Sequence, residues 1–178
     1  MRLLRLSLAL ASLVTLSALT NAAGPAPVWM RYPAISPDGK TIAFEYKGDL
    51  WRVPAGGGAA VALTQNDAYD YLPVWSHDGK TLAFASDRNG NFDVFTMPAD
   101  GGEPTRLTSH SAAESPYTFT SDDRFVLFGA ARQDTADNRQ YPAASQPELY
   151  KVPVAGGRVE QVLTTPAEEA HFSKDGRT

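Results

Sequence analysis

The 178-residue chain contains no cysteine, so disulfide staples, a thiol nucleophile and thiolate metal ligands are all excluded. Stability must come from burial. Charge is sparse and leans acidic: 16 Lys and Arg against 20 Asp and Glu give a net charge of -4. That balance argues against a nucleic-acid partner, because binding a polyanion needs a basic surface. The signatures Gly-x-Ser-x-Gly, His-Glu-x-x-His and the Walker loop are absent, which removes the usual hydrolase, zincin and NTPase motifs. Gly and Pro number 14 and 13, enough for many turns yet short of the roughly 25–30% that marks disorder. With 43% hydrophobic residues, the chain should fold as one domain or a little more.

The first 22 residues stand apart from the rest. Arg2 and Arg5 precede an apolar run from Leu6 to Leu19, and small side chains follow at Thr20-Asn21-Ala22. This is the pattern of a signal peptide, with cleavage expected before Ala23 and no stable membrane span afterwards. The run is short for an uncleaved anchor, which needs about 20 apolar residues. Export to the periplasm or the extracellular space is therefore expected. Cleavage would leave 14 basic against 20 acidic side chains, a net charge of -6.

An internal repeat dominates what remains. Ser36-Pro37-Asp38-Gly39-Lys40 recurs as Ser76-His77-Asp78-Gly79-Lys80 and Ser173-Lys174-Asp175-Gly176-Arg177, with a decayed copy at Thr120-Ser121-Asp122-Asp123-Arg124. Pro37 presets one turn dihedral and Gly39 is free to go left-handed, so each copy reads as a turn; Asp123 tolerates that conformation at modest cost. Strand patterns follow at Thr41-Ile42-Ala43-Phe44, Thr81-Leu82-Ala83-Phe84 and Phe125-Val126-Leu127-Phe128. A second strand starts with an acid each time: Asp49-Leu50-Trp51-Arg52-Val53, Asp93-Val94-Phe95-Thr96-Met97 and Glu148-Leu149-Tyr150-Lys151-Val152. A Pro and a Gly pair then lead to Leu63-Thr64, Leu107-Thr108 and Leu163-Thr164. A short strand before each turn (Ala34-Ile35, Val74-Trp75, Thr118-Phe119) and one ending in Leu-Thr bring the count to four per unit. Four strands per repeat of about 40 to 45 residues describe the blade of a β-propeller. The fold class is therefore all-β, in four-stranded antiparallel blades. Apolar spacing close to two, with no helical pattern after the leader, excludes helical solenoids.

Pro73-Val74-Trp75-Ser76-His77-Asp78-Gly79-Lys80-Thr81-Leu82-Ala83-Phe84-Ala85-Ser86-Asp87-Arg88, followed by Gly101-Gly102 and Leu107-Thr108, resembles the WD40-like repeat of the TolB and tricorn-protease propellers. The stretches Arg31-Tyr32-Pro33-Ala34-Ile35 and Gln146-Pro147-Glu148-Leu149-Tyr150 look most like the amino-terminal propeller of exported tricorn-like serine peptidases. That resemblance implies a non-catalytic propeller that gates or positions peptide substrates, with a catalytic serine domain and a PDZ-like module further along the parent chain. No catalytic residue of that family has a counterpart here. A TolB-like propeller that binds envelope proteins, or the propeller of a prolyl-oligopeptidase-like enzyme, are the alternatives.

Residues 23–32 form a lead-in, and residues 33–178 supply blades at about 33–69, 70–112 and 113–166, plus the start of a fourth at 167–178. A ring typically closes with four to eight blades, so a partial arc belonging to a longer protein is expected. Several copies closing one ring is the other option. The expected partners are thus a peptide or protein substrate, the remaining blades and peptidase domain, or further copies of the chain.

No catalytic, cofactor or metal residue is assigned. Ser76-His77-Asp78 spells a catalytic triad, but three consecutive turn residues cannot line up hydroxyl, imidazole and carboxylate. Asp87-Arg88-Asn89-Gly90-Asn91-Phe92-Asp93 spaces oxygens like a calcium loop, yet has Phe92 and Pro98 where Gly and Glu are required; a hairpin turn through Asn89-Gly90 accounts for it. His77, His110 and His171 are scattered and read as turn, loop and strand residues. Gly56-Gly57-Gly58 joins strands and opens no helix, so it cradles no phosphate. Trp51, Phe95 and Tyr150 are expected between blades as core rather than in a groove.

One loop breaks the repeat. Phe128 to Tyr150 spans 22 positions, against 11 from Phe84 to Phe95 and 7 from Phe44 to Trp51. The surplus, Arg132 to Pro147, would project from one rim and shape a substrate or partner entrance. Deleting Gln133 to Ser145 from the full protein is predicted to alter peptide turnover or partner binding; unchanged values for both would reject that role.

Overall fold

In the computed structural model the described residues are 29–132 and 147–172. The leader, most of the long loop and the turn at Ser173 lie outside them. The described residues form strands and turns with no helix, in three separate four-stranded antiparallel sheets. The first holds β1 (Met30–Ile35), β2 (Thr41–Tyr46), β3 (Asp49–Pro54) and β4 (Val61–Ala62). The second holds β5 (Asp70–Trp75), β6 (Thr81–Ser86), β7 (Asp93–Pro98) and β8 (Thr105–Arg106). The third holds β9 (Glu114–Phe119), β10 (Phe125–Ala130), β11 (Glu148–Pro153) and β12 (Glu160–Pro166). In every sheet the strands lie in chain order, which is the up-and-down arrangement of a propeller blade.

The repeated turn is a closed hydrogen-bond device. Ser36 Oγ donates to Asp38 Oδ1 at 2.6 Å, the Lys40 amide donates to the same oxygen at 3.0 Å, and Thr41 N donates to Ser36 Oγ at 2.9 Å. Ser76, Asp78, Lys80 and Thr81 repeat it, as do Thr120, Asp122, Arg124 and Phe125. A side chain thus satisfies main-chain donors that a tight turn cannot pair by itself. The Leu-Thr pair does similar work at the outer edge. Leu63 N donates to Leu50 O at 2.7 Å, and Thr64 Oγ1 accepts from Leu50 N at 2.9 Å. Leu107 and Thr108 hold Val94 the same way, at 2.8 Å for both bonds. The paired part of β4 and β8 therefore stops one residue before Leu-Thr, and the threonine hydroxyl continues what the ladder leaves off. The inner strands differ from expectation in the opposite sense: β1, β5 and β9 each run six residues, not two.

Period-two alternation gives each sheet two apolar faces, and the second sheet uses both. Leu82, Phe84, Phe95 and Met97 pack against Ala43 and Leu50 of the first sheet. Ala83 and Val94 on the opposite face meet Phe119, Val126, Phe128, Tyr150 and Val152 of the third. Large side chains on one face against small ones on the next let the sheets approach closely, and each buried Phe contributes on the order of 1.5–3 kcal/mol. Phe95 and Tyr150 occupy this inter-blade core at 2% and 5% exposure, stacked on Phe84 and Phe128 at 5.8 and 5.7 Å. Trp51 is only half-buried and leans on Tyr46 at 6.2 Å. It occupies the face of the first sheet against which no other described sheet packs.

Each joint between sheets also has polar links. Trp75 Nε1 donates to Ala34 O at 3.0 Å, and Arg52 pairs with Asp100. At the second joint Asp123, left-handed at φ 54°, accepts from the His77 and Asp78 amides at 2.7 and 2.9 Å and lies 2.9 Å from His77 Nδ1. The departure from glycine at this turn is therefore an inter-blade clamp. Asp123→Ala loses these bonds and keeps the strained Cβ at positive φ, whereas Asp123→Gly loses the bonds but relieves that strain. Urea unfolding is predicted to show a loss of about 2 kcal/mol for the first variant and about 1 kcal/mol for the second.

Candidate functional site

The residues singled out for chemistry are held apart. Ser76 Oγ donates to Asp78 Oδ1 at 2.7 Å while His77 turns to Asp123, so the three make a turn and a clamp. In the segment 87–93, Gly90 N donates to Asp87 O at 2.8 Å, Asp87 Oδ1 accepts from Tyr69 N at 2.7 Å, and Asn91 Nδ2 donates to the His110 and Ala112 carbonyls. Each group is spent on a separate partner, as a hairpin loop requires. His77 and His110 lie in a turn and a loop as expected. His171 does not lie in a strand: its backbone is outside the sheets, in the segment that follows β12.

Two features that sequence reasoning passed over stand out. The first is at the hub. The innermost strands β1, β5 and β9 lie side by side, and each carries a β-bulge at a proline. Pairing to β2 skips from Arg31 to Ala34 across Tyr32-Pro33, and pairing to β6 skips from Tyr71 to Val74 across Leu72-Pro73. In β9 the shift falls between Pro116 and Thr118, leaving Tyr117 out. Proline has no N–H for a ladder and is tolerated at a bulge on an edge strand. Tyr32 and Leu72 take φ of 51° and 54°, strain that side chains other than Gly adopt only where the surroundings enforce it. The recurrence was visible as a proline three residues before Ser36 and Ser76 and four before Thr120.

These bulges border an open cleft of about 510 Å³, whose lining includes Tyr32, Leu72, Pro116, Tyr117, Glu168 and Glu169. An aromatic cluster backs it: Tyr71 meets Tyr32 at 5.4 Å, Phe92 at 4.8 Å and Tyr69 at 5.6 Å, all at edge or tilted angles. Tyr117 lies across Gly129, where a Cβ would come within 1.9 Å of its hydroxyl, and donates to Ala167 O at 3.4 Å. Gly129 is thus needed for space, and Tyr117 ties the segment carrying Glu168 and Glu169 to the third sheet. Burial first, then the negative charge of Glu168 and Glu169, raises the Tyr117 hydroxyl above its ordinary pKa.

The second feature is a set of buried ion pairs at the opposite end of the strands from the Ser-Asp turns. Arg88 Nη2 donates to both oxygens of Asp70, at 2.9 and 3.0 Å, while its guanidinium lies over Phe84 and Phe95. Arg132 pairs with Glu114 differently, its Nε and Nη2 both donating to Oε1, and likewise lies over two rings, Phe128 and Tyr150. Acid and arginine are 18 residues apart in both, the first at the start of an innermost strand. Arg106 adds a bond of 2.6 Å to buried Asp93. Asp93 Oδ1 and Glu114 Oε2 are buried with no hydrogen-bond partner among the described residues. Burial raises the pKa of both carboxyls; Arg106 offsets it in part for Asp93, and Thr108 and then Arg132 in part for Glu114.

Comparison with known proteins agrees with the architecture. Residues 27–178 match the family described as tricorn protease N-terminal beta propeller domain. Tricorn protease homolog 1 of Streptomyces coelicolor is 35% identical over 69 residues, 39% of this chain and 6% of that protein. The structure of putative TolB from Agrobacterium tumefaciens superposes with a TM-score of 0.61 at 28% identity, covering 75% of this chain and 46% of that one. The crystal structure of the tricorn protease gives 0.53 at 11% identity, over 70% of this chain and 13% of that one. The chain spans about a tenth or less of the length of the curated relatives it matches.

The raised carboxyls set a pH dependence. A folded-state pKa above the unfolded value means the folded chain holds a proton that the unfolded chain has lost, so stability falls as pH rises through that window. For Glu114 the window opens at about pH 4.5 and extends upward. The turn carboxylates have the other sign: Asp38 and Asp122 are lowered first by the hydroxyls of Ser36 and Thr120, Asp78 first by the Lys80 amide. Their contribution is present above the ordinary carboxylate value and is lost below it. Glu114→Gln is predicted to flatten the decline of unfolding free energy from about pH 4.5 to pH 7; a slope equal to the parent's would reject the assignment.

Proposed function

The chain belongs to the tricorn protease N-terminal beta propeller family, and from that membership we propose that it is the propeller portion of an exported tricorn-like serine peptidase. In this reading residues 1–22 direct export and are removed, and residues 23–32 lead into the arc of blades. The hub cleft receives peptide and presents it to a catalytic domain supplied elsewhere in the parent protein. The observation that supports it is the cleft itself, where three bulged inner strands border a space of about 510 Å³. A bulge leaves its extra residue out of the ladder. The main chain at Tyr32 and Leu72 is then free of pairing to β2 and β6, so an extended peptide finds backbone partners as well as apolar walls.

A second reading has its own support. The 28% identity to a TolB structure, over three quarters of this chain, favours a propeller that is itself the working part and docks other envelope proteins. The two readings place chemistry differently. A fluorophosphonate serine probe on the native full-length protein, followed by peptide mapping, separates them. The peptidase reading predicts one labelled serine outside residues 23–178. No labelled serine in a protein that still binds peptide would overturn that reading in favour of the second.

A further inference from the structure

We propose that the hub cleft selects peptides carrying a basic side chain, with Glu168 and Glu169 as its cation-recognising wall. This rests on the reading that the cleft receives peptide and adds the class of peptide it takes. The lining is asymmetric. One wall is apolar and stiff: Tyr32, Pro33, Leu72, Pro73 and Val74, from two adjacent inner strands. The opposite wall carries Glu168, Glu169 and His171 beside Tyr117, and among the described residues no Lys or Arg lines the cleft. Tyr32 remains 41% exposed although its ring is anchored against Tyr71, so one face of an aromatic is presented to whatever enters.

Among the described residues no Lys or Arg pairs with the acidic wall. Glu169 lies 3.8 Å from His171, and among the described residues no cation pairs with Glu168. The acids at the starts of β5 and β9 are treated differently: Asp70 and Glu114 are buried against Arg88 and Arg132. The negative field at the cleft is felt by a neighbour, since both glutamates act on the Tyr117 hydroxyl. Tyr117 in turn holds the segment through Ala167 O, so the two carboxylates are positioned by the third sheet. An acidic rim beside proline and tyrosine surfaces complements an extended peptide with an apolar stretch and a Lys or Arg. The ammonium or guanidinium meets the carboxylates and the chain lies along the strained bulges.

The test uses the full-length protein and two fluorescein-labelled, acetylated and amidated ten-residue peptides. Both contain Pro, Leu and Ser, and they differ only in carrying two Lys or two Glu at the same positions. Fluorescence anisotropy at low salt should show the Lys peptide binding about five- to ten-fold tighter, as exposed charge pairs allow. In the Glu168→Gln, Glu169→Gln double variant, which keeps size and shape, the preference should shrink to within two-fold. Tyr32→Ala should weaken both peptides alike. Equal binding of the two peptides by the parent protein, or a preference that survives the double variant, overturns the charge selection and leaves peptide binding standing. No binding of either peptide overturns both.

Discussion

Phe84 and Phe95 of the second sheet lie against Ala43 and Leu50 of the first, and Phe128 and Tyr150 of the third lie against Ala83 and Val94 of the second. The rest of the molecule depends on this alternation of large and small faces. A four-stranded sheet with two apolar faces has no stable existence alone, so each unit is completed only by its neighbours. The arginines extend the same stacks outward. Arg88 and Arg132 cover the exposed ends of the aromatic pairs and carry their charge to an acid at the start of an inner strand. Packing and electrostatics thus meet on one guanidinium in the second sheet and on one in the third.

Burying such pairs is expensive in desolvation, and a hydrophobic replacement of similar shape is often as stable. Their use here is geometric. Arg88 joins the β6–β7 loop to the first residue of β5, and Arg132 joins the start of the long loop to the first residue of β9. Each ties the start of an inner strand to the far end of the strand paired with it. The orphan oxygens of Asp93 and Glu114 show that the arrangement leaves some polar groups short of partners.

Much of the architecture could be read from residue order because the signals were local. The Ser-Pro-Asp-Gly turn closes on itself within six residues, the strands alternate with period two, and the Leu-Thr pair bonds to a residue 14 positions back at Leu50 and Val94 alike. These signals repeat in register, and repetition converts weak patterns into an architecture. The hub was not legible for the opposite reason. Its cleft joins Tyr32, Leu72, Tyr117 and Glu168, one from each of the three innermost strands and one from the segment after β12, and no short window contains two of them. Asp123 was read as a worn-down glycine because its partners, His77 and Asp78, lie 46 and 45 residues away. Trp51 matched Phe95 and Tyr150 in register yet differs in burial, since position within a unit does not tell which units have a neighbour on that side.

The two turn-to-turn joints are built from different parts. Between the first and second sheets the position is filled by Gly79, where a Cβ would lie 3.7 Å from the ring of Pro37; between the second and third it is filled by a carboxylate holding two amides and an imidazole. A glycine cannot reach those amides, and a proline has no amide to give. Units that look interchangeable by repeat are therefore not interchangeable by edge. Each carries a distinct address for the unit that follows, so a transposed or slipped order of blades would leave Asp123 without donors and His77 without its acceptor.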